Sequence, residues 1–361
     1  MKPAQSSRSF LGPISAFRRS AAIILIISLL AGCTLPLSWP SATLPAAGIR
    51  PAQTAVPQAS IAPAVTPLAR EAPPQLGGIG ILGDSTSDEY RAEDARGGDF
   101  AATTLSWVEQ LVKNRKLNFG TWDKWDEPRR TGYEYNWART GATASSMHSS
   151  GQVKGLAEQV AAGKVSYVLL WIGGNDFHMR NGPYEQIYSG ALQGAELQAK
   201  LDGFTSDVVR AMDTILAAGK VKMAVVTVTD QGLAHQAAQL FPDAAGRQKV
   251  SDAINAVNAA ITKAAEVRGV LVVDSNLLAK NLFKSYDSRG FLVIYGQKID
   301  ANTPGDDPHH LQLGDWIGHS GTVLSGIIAN TLFIEPFNQA YHMGIQPLSD
   351  EEILKNAGLL K

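Results

Sequence analysis

Residues 77–88 read Gly-Gly-Ile-Gly-Ile-Leu-Gly-Asp-Ser-Thr-Ser-Asp. The apolar, glycine-rich half of this stretch predicts a buried strand over residues 77–82, and the polar half predicts a turn. Further short runs rich in Val, Ile and Leu follow along the chain at 165–172, 223–228 and 270–273. Segments with helical spacing separate them, at 104–113, 195–218 and 248–267. Apolar strands that alternate with helices indicate a central parallel sheet covered on both faces, so we expect a three-layer α/β/α sandwich.

The last third of the chain adds three elements. Residues 291–299 have the pattern of a strand, residues 321–333 predict a helix, and a short helix begins near Asp350. No internal repeat is visible. We therefore expect one α/β domain over residues 76–345, followed by a C-terminal helix or tail over 346–361.

The N-terminus has the features of an export signal. Basic residues precede an apolar run at 21–31, which is too short for a membrane span of about 20 residues. Leu30-Ala31-Gly32-Cys33 follows directly and resembles the lipobox of bacterial lipoproteins, in which the cysteine is acylated. The resemblance implies a lipoprotein signal peptide over residues 1–32, lipidation of Cys33, and an exported protein anchored at the cell membrane or outer membrane. The alternative is a short uncleaved anchor with an incidental cysteine.

The stretch after this cysteine differs sharply in composition from the rest of the chain. Residues 33–75 hold nine of the 18 prolines, interleaved with Ala, Thr, Ser and Gln. Such a segment buries too little apolar surface to offset the entropy lost on folding. We predict a linker that separates the anchor from the folded domain.

Composition excludes several classes of protein. The chain has 32 basic and 33 acidic residues, without the basic excess typical of nucleic-acid-binding proteins. Its single cysteine cannot form an internal disulfide, and the spacing of Cys and His does not fit a structural zinc site. We expect no nucleic-acid partner and no metal, and the sequence does not predict an oligomeric state.

Polar residues follow the predicted strands. Asp84-Ser85 comes directly after the first strand, and Gly173-Gly174-Asn175-Asp176 follows the strand that ends at 172. The carboxyl ends of parallel strands meet at one edge of a sheet, where reactive groups collect. A serine at such a turn still needs a base, which His319 held by a carboxylate could supply, while Asn175 could donate its amide to an oxyanion. These are the parts of an acyl-transfer site.

The chain resembles the SGNH/GDSL hydrolase superfamily, whose serine, glycine, asparagine and histidine blocks occur here in the same order over about 250 residues. Ser85 matches the nucleophile, and His319 matches the base. Gly141, in Asn136-Trp137-Ala138-Arg139-Thr140-Gly141-Ala142-Thr143, and Asn175 match the oxyanion-hole residues, together with the Ser85 amide. The resemblance implies a flavodoxin-like sandwich with esterase activity and a mechanism that needs no cofactor.

The histidine block departs from the family pattern. The superfamily typically has Asp-x-x-His, whereas Asp315 precedes His319 by four positions. Two other pairs have the expected spacing but lie in a Pro/Gly/Asp-rich loop with no helix after it: Asp306 with His309, and Asp307 with His310. We favour His319 as the base with Asp315 as its acid, and keep these two pairs as alternatives.

Other polar residues near the blocks have supporting roles. We expect Asp84 and Asp88 to cap and orient the serine turn, Asp176 to orient the Asn175 loop, and Asp230 to lie at the same sheet edge. His178 and His235 are expected to be exposed or bonded locally. A cluster of aromatic residues is either a substrate wall or, as we favour, a packed connection into the Gly141 block: Trp122, Trp125, Tyr133, Tyr135 and Trp137.

The sequence thus predicts an exported serine esterase that hydrolyses short acyl esters through an acyl-enzyme. Its partner would be a small-molecule or glycan ester, and the acetyl groups of a carbohydrate are one candidate. Two alternatives stay open. The first is an acyltransferase that passes the acyl group to a glycan, and the second is a non-catalytic surface protein with the same fold.

Overall fold

The structure, a computed structural model, describes residues 77–92, 95–180, 182–233, 235–315 and 318–361. The predicted signal peptide, the predicted lipidation site at Cys33 and the predicted linker over 33–75 lie outside the described residues. No helix among the residues described is both long and apolar enough to cross a membrane.

The centre of the fold is a parallel sheet of four strands. They are β1 (Gly78–Gly83), β4 (Val165–Trp171), β5 (Lys222–Val226) and β6 (Leu271–Val273), arranged side by side in that order. Each of the four strands begins and ends within two residues of its predicted limits. Their apolar character drives this arrangement, because a parallel sheet buries both of its faces.

Alternate residues of each strand enter two different cores. Ile79 and Ile81 of β1 and Leu169 of β4 belong to one buried cluster, whereas Val168 and Leu170 belong to another. Successive side chains of a strand point to opposite faces, so the two clusters lie on opposite sides of the sheet. The predicted three-layer sandwich is confirmed.

Helices form the outer layers. The second cluster contains residues of α3 (Gln152–Ala161), α5 (Gly194–Ala218) and α7 (Ala244–Glu266), and the first contains residues of α1 (Trp107–Arg115) and α9 (Thr322–Ile328). Four further helices precede the last strands: α2 (Ala144–Ser149), α4 (Tyr184–Ser189), α6 (His235–Leu240) and α8 (Ser275–Lys284).

Caps explain why two helices begin away from their predicted starts. Ser106 and Glu109 form a reciprocal capping box that starts α1 at Trp107, three residues later than predicted. The Asp243 carboxylate accepts hydrogen bonds from Ala245 N and Gly246 N, and it starts α7 four residues earlier than predicted.

The predicted strand over 291–299 is wrong in its form. It is a hairpin of β7 (Phe291–Ile294) and β8 (Gln297–Asp300), which pair with each other and not with the central sheet. Tyr295 and Gly296 both have positive φ, as a two-residue hairpin turn requires. Glycine supplies the second position at little cost, but tyrosine at the first carries no turn signal.

The predicted C-terminal helices pack into the same folded unit. α9 continues through a π-helical turn (Ala329–Ile334) into α10 (Glu335–Tyr341), so this helical stretch runs eight residues beyond its predicted end. α11 (Asp350–Asn356) buries Ile353 and Leu354 in the first cluster. The predicted C-terminal helix over 346–361 therefore contributes apolar side chains to the first cluster.

One irregular segment extends the sheet beyond β1. Ile81 N donates to Tyr135 O at 3.0 Å, and Trp137 N donates to Ile81 O at 2.9 Å. This segment follows a small antiparallel pair, β2 (Trp122–Lys124) and β3 (Thr131–Tyr133). It brings the Gly141 block to the edge of the sheet where β1 ends.

Candidate active site

Ser85 lies in the turn that ends β1. Asp84 holds this turn, because its carboxylate accepts from Thr86 N at 2.9 Å and from Gly174 N at 3.2 Å. Burial raises the pKa of the Asp84 carboxyl, while these hydrogen bonds oppose the rise. Asp84 therefore ties the serine turn to the loop after β4, and Ser85 is buried with only 6% of its surface exposed.

Asn175 and the Gly141 block are joined directly. The Asn175 side-chain amide donates to Ala142 O at 2.9 Å, which leaves its second N–H for another acceptor. Gly141 has φ of +80° and is exposed. It lies next to this contact but is not among the residues that line the cavity described below. The carboxylate of Asp88 accepts from Thr140 N at 2.8 Å and holds the same block from the other side.

Asp176 fixes the Asn175 loop to α2. Its carboxylate accepts from Ala144 N at 3.1 Å. Burial and the nearby charge of Asp84 raise the pKa of Asp176 to about 7, although the hydrogen bond from Ala144 N opposes this. A carboxyl that becomes charged only near neutral pH stands at the junction of the two loops.

This carboxyl gives a pH-dependent stability. The folded protein holds the Asp176 proton up to about pH 7, whereas the unfolded chain releases it near 3.8. Its stabilising contribution is complete below the unfolded pKa and is lost as pH rises through the folded one. We expect Asp176→Asn, which keeps an acceptor for Ala144 N, to remove about 4 kcal/mol of this decline in the free energy of unfolding between pH 4 and 8. Urea unfolding of both proteins across that range measures it, and parallel curves would contradict it.

His319 lies after a turn that accommodates the four-residue spacing. Asp315 Oδ1 accepts from Gly318 N at 2.7 Å and from His319 N at 3.1 Å, and Gly318 has φ of +77°. Asp315 Oδ2 accepts from His319 Nδ1. Burial by itself would raise the pKa of Asp315, but the side chain and charge of His319 and these backbone amides lower it to about 2. The aspartate is thus ionised and holds the imidazole through Nδ1.

The other ring nitrogen of His319 has no partner. Nε2 is buried and makes no hydrogen bond with any residue that the structure describes. Ser85 Oγ likewise makes no hydrogen bond within that part of the chain, so the link between these two atoms is not formed. Catalytic hydrogen bonds are often long in unliganded enzymes and tighten when substrate binds.

The alternative histidines occupy a different place. His309 Nδ1 lies 2.8 Å from Asp307 Oδ1 on an exposed loop, and His310 Nδ1 donates to Thr303 O at 2.8 Å. The carboxylate of Asp306 accepts from Gly314 N. The two alternative pairs, Asp306 with His309 and Asp307 with His310, do not line the cavity that Ser85, Asn175 and His319 share.

That cavity has a volume of about 600 Å³. Ser85, Asn175 and His319 all lie in its wall, so the structure brings these three predicted residues together. Asp230 and His178 line it as well. His178 is buried, contrary to the exposed position considered from sequence, but its Nδ1 accepts a local bond from Arg180 N at 3.1 Å. The side chain of His235 lies outside the description.

Arg96 is a residue of the site that sequence reasoning missed. Its Nη1 lies 2.9 Å from His319 Nδ1 and donates to Asp315 Oδ2 at 3.1 Å, while Nη2 donates to Thr140 Oγ1 at 3.1 Å. The guanidinium also lies over the ring of Tyr90. His319 Nδ1 donates its proton to Asp315 and therefore cannot accept one from Arg96, so Nη1 donates to the Asp315 carboxylate alone. Through this bond and the one to Thr140, Arg96 links the Asp–His pair to the Gly141 block.

We therefore expect Arg96→Gln to lower kcat for an ester substrate by roughly ten- to a hundredfold, because the Asp315 carboxylate loses the donor that fixes it. KM should change little, since Arg96 does not line the cavity. Arg96→Lys keeps the charge and should recover part of the loss. Steady-state kinetics of both variants test this, and a change in KM alone would contradict it.

The side chains of the aromatic cluster pack against or hydrogen-bond to neighbouring residues. Trp122 packs edge-on against Tyr133 at 5.0 Å between centroids, Trp125 Nε1 donates to Gly132 O, and Trp137 Nε1 donates to Gln159 Oε1. None of the five aromatic residues lines the cavity. The packed connection is confirmed, and the segment is not a wall of this cavity.

Metal-ligating clusters are also absent from the part of the chain that the structure describes, since no three His, Cys, Asp or Glu residues there stand close enough to hold an ion.

The parallel α/β/α sandwich thus places a serine turn and a histidine in the wall of one cavity, an arrangement that suits the hydrolysis of esters. The sequence profile of the GDSL-like Lipase/Acylhydrolase family matches residues 79–311, more than half of the chain. The chain belongs to this family and is an ester hydrolase. The match ends before Asp315 and His319, so it covers the serine, glycine and asparagine blocks only.

Several solved structures are similar to this chain. The YXIM protein from Bacillus subtilis is 14% identical over 73% of this chain, with a TM-score of 0.40, and the match spans 57% of its own length. The acetylxylan esterase Axe2 from Geobacillus stearothermophilus is 16% identical, with coverage of 75% and 95% and a TM-score of 0.41. A family 3 carbohydrate esterase from Clostridium thermocellum is 14% identical, with coverage of 74% and 98% and a TM-score of 0.39. A search of proteins with curated functions found no match.

Proposed function

We propose that this ester hydrolase works through Ser85, His319 and Asp315. One observation carries the proposal. His319 is held through Nδ1 by an ionised aspartate, its Nε2 has no hydrogen-bond partner among the described residues, and it shares a cavity with a serine at a strand end. A base with this arrangement can accept a proton only at the nitrogen that remains available.

The reaction follows from these positions. Ser85 Oγ attacks the ester carbonyl while His319 Nε2 takes its proton, and the Asp315 charge stabilises the resulting imidazolium. The negative oxygen is bound by Ser85 N and the second N–H of Asn175. The family resemblance assigns Gly141 N the same role, although Gly141 does not line the cavity. The carbon–oxygen bond to the alcohol then breaks, and His319 Nε2 donates its proton to the leaving alcohol oxygen. A water molecule, activated by the same histidine, then releases the acid and restores Ser85.

Hydrolysis of p-nitrophenyl acetate, butyrate and octanoate by the full chain tests this function. The account predicts turnover of at least one of them, with acid and alcohol released in equal amounts. Transfer of the acyl group to an added glycan faster than to water would favour the acyltransferase alternative. A folded protein that turns over none of these esters and no acetylated glycan would contradict the proposal.

We also propose that the hydrolase is exported and lipid-anchored, on the basis of the sequence around Cys33. A thioether-linked and acylated cysteine carries several chains, and each buried methylene contributes about 0.8 kcal/mol to membrane binding. Expression of the full chain in a bacterium with labelled palmitate should give a labelled, membrane-bound protein, and Cys33→Ser should lose both properties. A membrane-bound and unlabelled wild type would favour the uncleaved anchor.

The acyl group is a separate question. The expectation that the substrate is an acetylated carbohydrate was based in part on the aromatic cluster as a substrate wall. The five residues of that cluster do not line the cavity. The acetylated substrate stays a prediction, which release of acetate from an acetylated polysaccharide would test.

A further inference from the structure

The wall of the cavity divides into a polar and an apolar part. Its polar residues come from the turns that follow the strands, including Asp84, Asn175 and Thr229. Its apolar residues come mostly from two helical stretches on the other side, α8 and the region of α9.

One face of α8 contributes to the apolar wall. Leu278, Ala279 and Leu282 line the cavity, together with Ser275 at the start of the helix and Tyr286 two residues beyond its end. They recur at the spacing that keeps side chains on one side of a helix. Leu277, on another side of the same helix, is 55% exposed and does not line the cavity. From Ser275 to Leu282 the helix rises about 10 Å, a length comparable with an extended chain of about eight carbons.

A second apolar stripe comes from α9 and the turn after it. Leu324 and Ile328 of α9 and Leu332 of the π-helical turn follow one another at intervals of four and all line the cavity. Ile328 and Leu332 are buried in the first core cluster. Burial raises the pKa of the Tyr286 hydroxyl to about 12. The two stripes give this part of the wall an apolar surface, although the polar residues Asp287 and Asn302 line the cavity as well.

We propose that these two stripes bind the acyl chain of the substrate, and that the chain has medium length, roughly six to ten carbons. The inference rests on the proposed function, since it takes the acyl group to be bonded to Ser85 during turnover. Each methylene that moves from water into the apolar part should raise kcat/KM about fourfold until the space is filled.

The test compares acetate, butyrate and octanoate p-nitrophenyl esters on the full chain and on two variants of α8. The wild type should show kcat/KM at least about tenfold higher for octanoate than for acetate. Ala279→Phe fills the space between the stripes and should lower the octanoate-to-acetate ratio by about tenfold or more. Leu277→Phe places the same side chain on the exposed side of the helix and should leave the ratio unchanged.

Three further outcomes are decisive. Acetate turned over as well as octanoate, or a ratio that Ala279→Phe leaves unchanged, would overturn the inference while the esterase function stands. If Ala279→Phe does not fold, Leu282→Ala replaces it and should shift the optimum towards decanoate. If no ester is hydrolysed, calorimetry measures how the free octanoate and acetate anions bind to Ser85→Ala. Much tighter binding of the octanoate anion supports the acyl-chain site, and equal or absent binding overturns it.

Discussion

Ser85→Ala is expected to lower kcat for any ester that the protein hydrolyses by about 10⁴-fold or more. The variant keeps the cavity and the oxyanion donors but has no atom that can form the acyl-enzyme. The residual rate would come from binding and oxyanion stabilisation alone. Removal of one hydroxyl leaves a small void, so the variant should fold and bind substrate as the wild type does.

A matched control exists on the surface. Ser189 ends α4 and is exposed, so Ser189→Ala makes the same chemical change away from the cavity and should leave the rate unchanged. A Ser85→Ala protein that retains more than about a tenth of the wild-type kcat would show that another group forms the covalent bond.

The second large effect is expected at His319. His319→Ala removes the base and should lower kcat by a factor of about 10⁴, because the Ser85 hydroxyl is a weak nucleophile at neutral pH without one. His310→Ala and His309→Ala are its controls. Both side chains lie on the 301–310 loop outside the cavity lining, and both changes should leave kcat within about twofold.

The activities of these variants show whether the base is His319 or a histidine of the 301–310 loop. Activity lost in His319→Ala and kept in His310→Ala supports the Asp315–His319 pair. Activity lost in His310→Ala and kept in His319→Ala would move the base to the loop, where the Asp-x-x-His spacing is regular. Asp315→Asn should give a loss nearly as large as His319→Ala, because an amide favours the wrong tautomer of the imidazole.

Local sequence patterns predicted the central sheet and the helices α1, α5, α7, α9 and α11, but they did not predict α2, α3, α4, α6 or α8. A strand buried on both faces must be apolar throughout, and this signal was sufficient for β1, β4, β5 and β6. The turn at Ser85 was predictable for the same reason, since the change from apolar to polar residues marks the end of a buried strand. The junction of Asn175 with Ala142 agrees with the expectation that strand ends meet at one edge of the sheet.

Features that depend on distant residues were not predictable. Arg96 contacts Asp315, 219 positions away along the chain, and nothing near Arg96 in the sequence indicates that partner. The hairpin of β7 and β8 was missed because Tyr295 takes a positive φ without a turn signal. The stripe on α8 was missed because no helix was predicted over 275–284. Even a predicted helix would not have revealed it, since an apolar helix face looks the same in sequence whether it packs on a core or lines a cavity.

Covalent labelling with diethyl p-nitrophenyl phosphate tests the central claim most directly. This reagent phosphorylates an activated serine, and mass spectrometry of the digested protein locates the added group. The account predicts one diethyl phosphate per chain on Ser85, much slower labelling of His319→Ala, and none at this position in Ser85→Ala. A wild-type protein that hydrolyses esters but carries the label on a different residue, or remains unlabelled, would contradict Ser85 as the nucleophile.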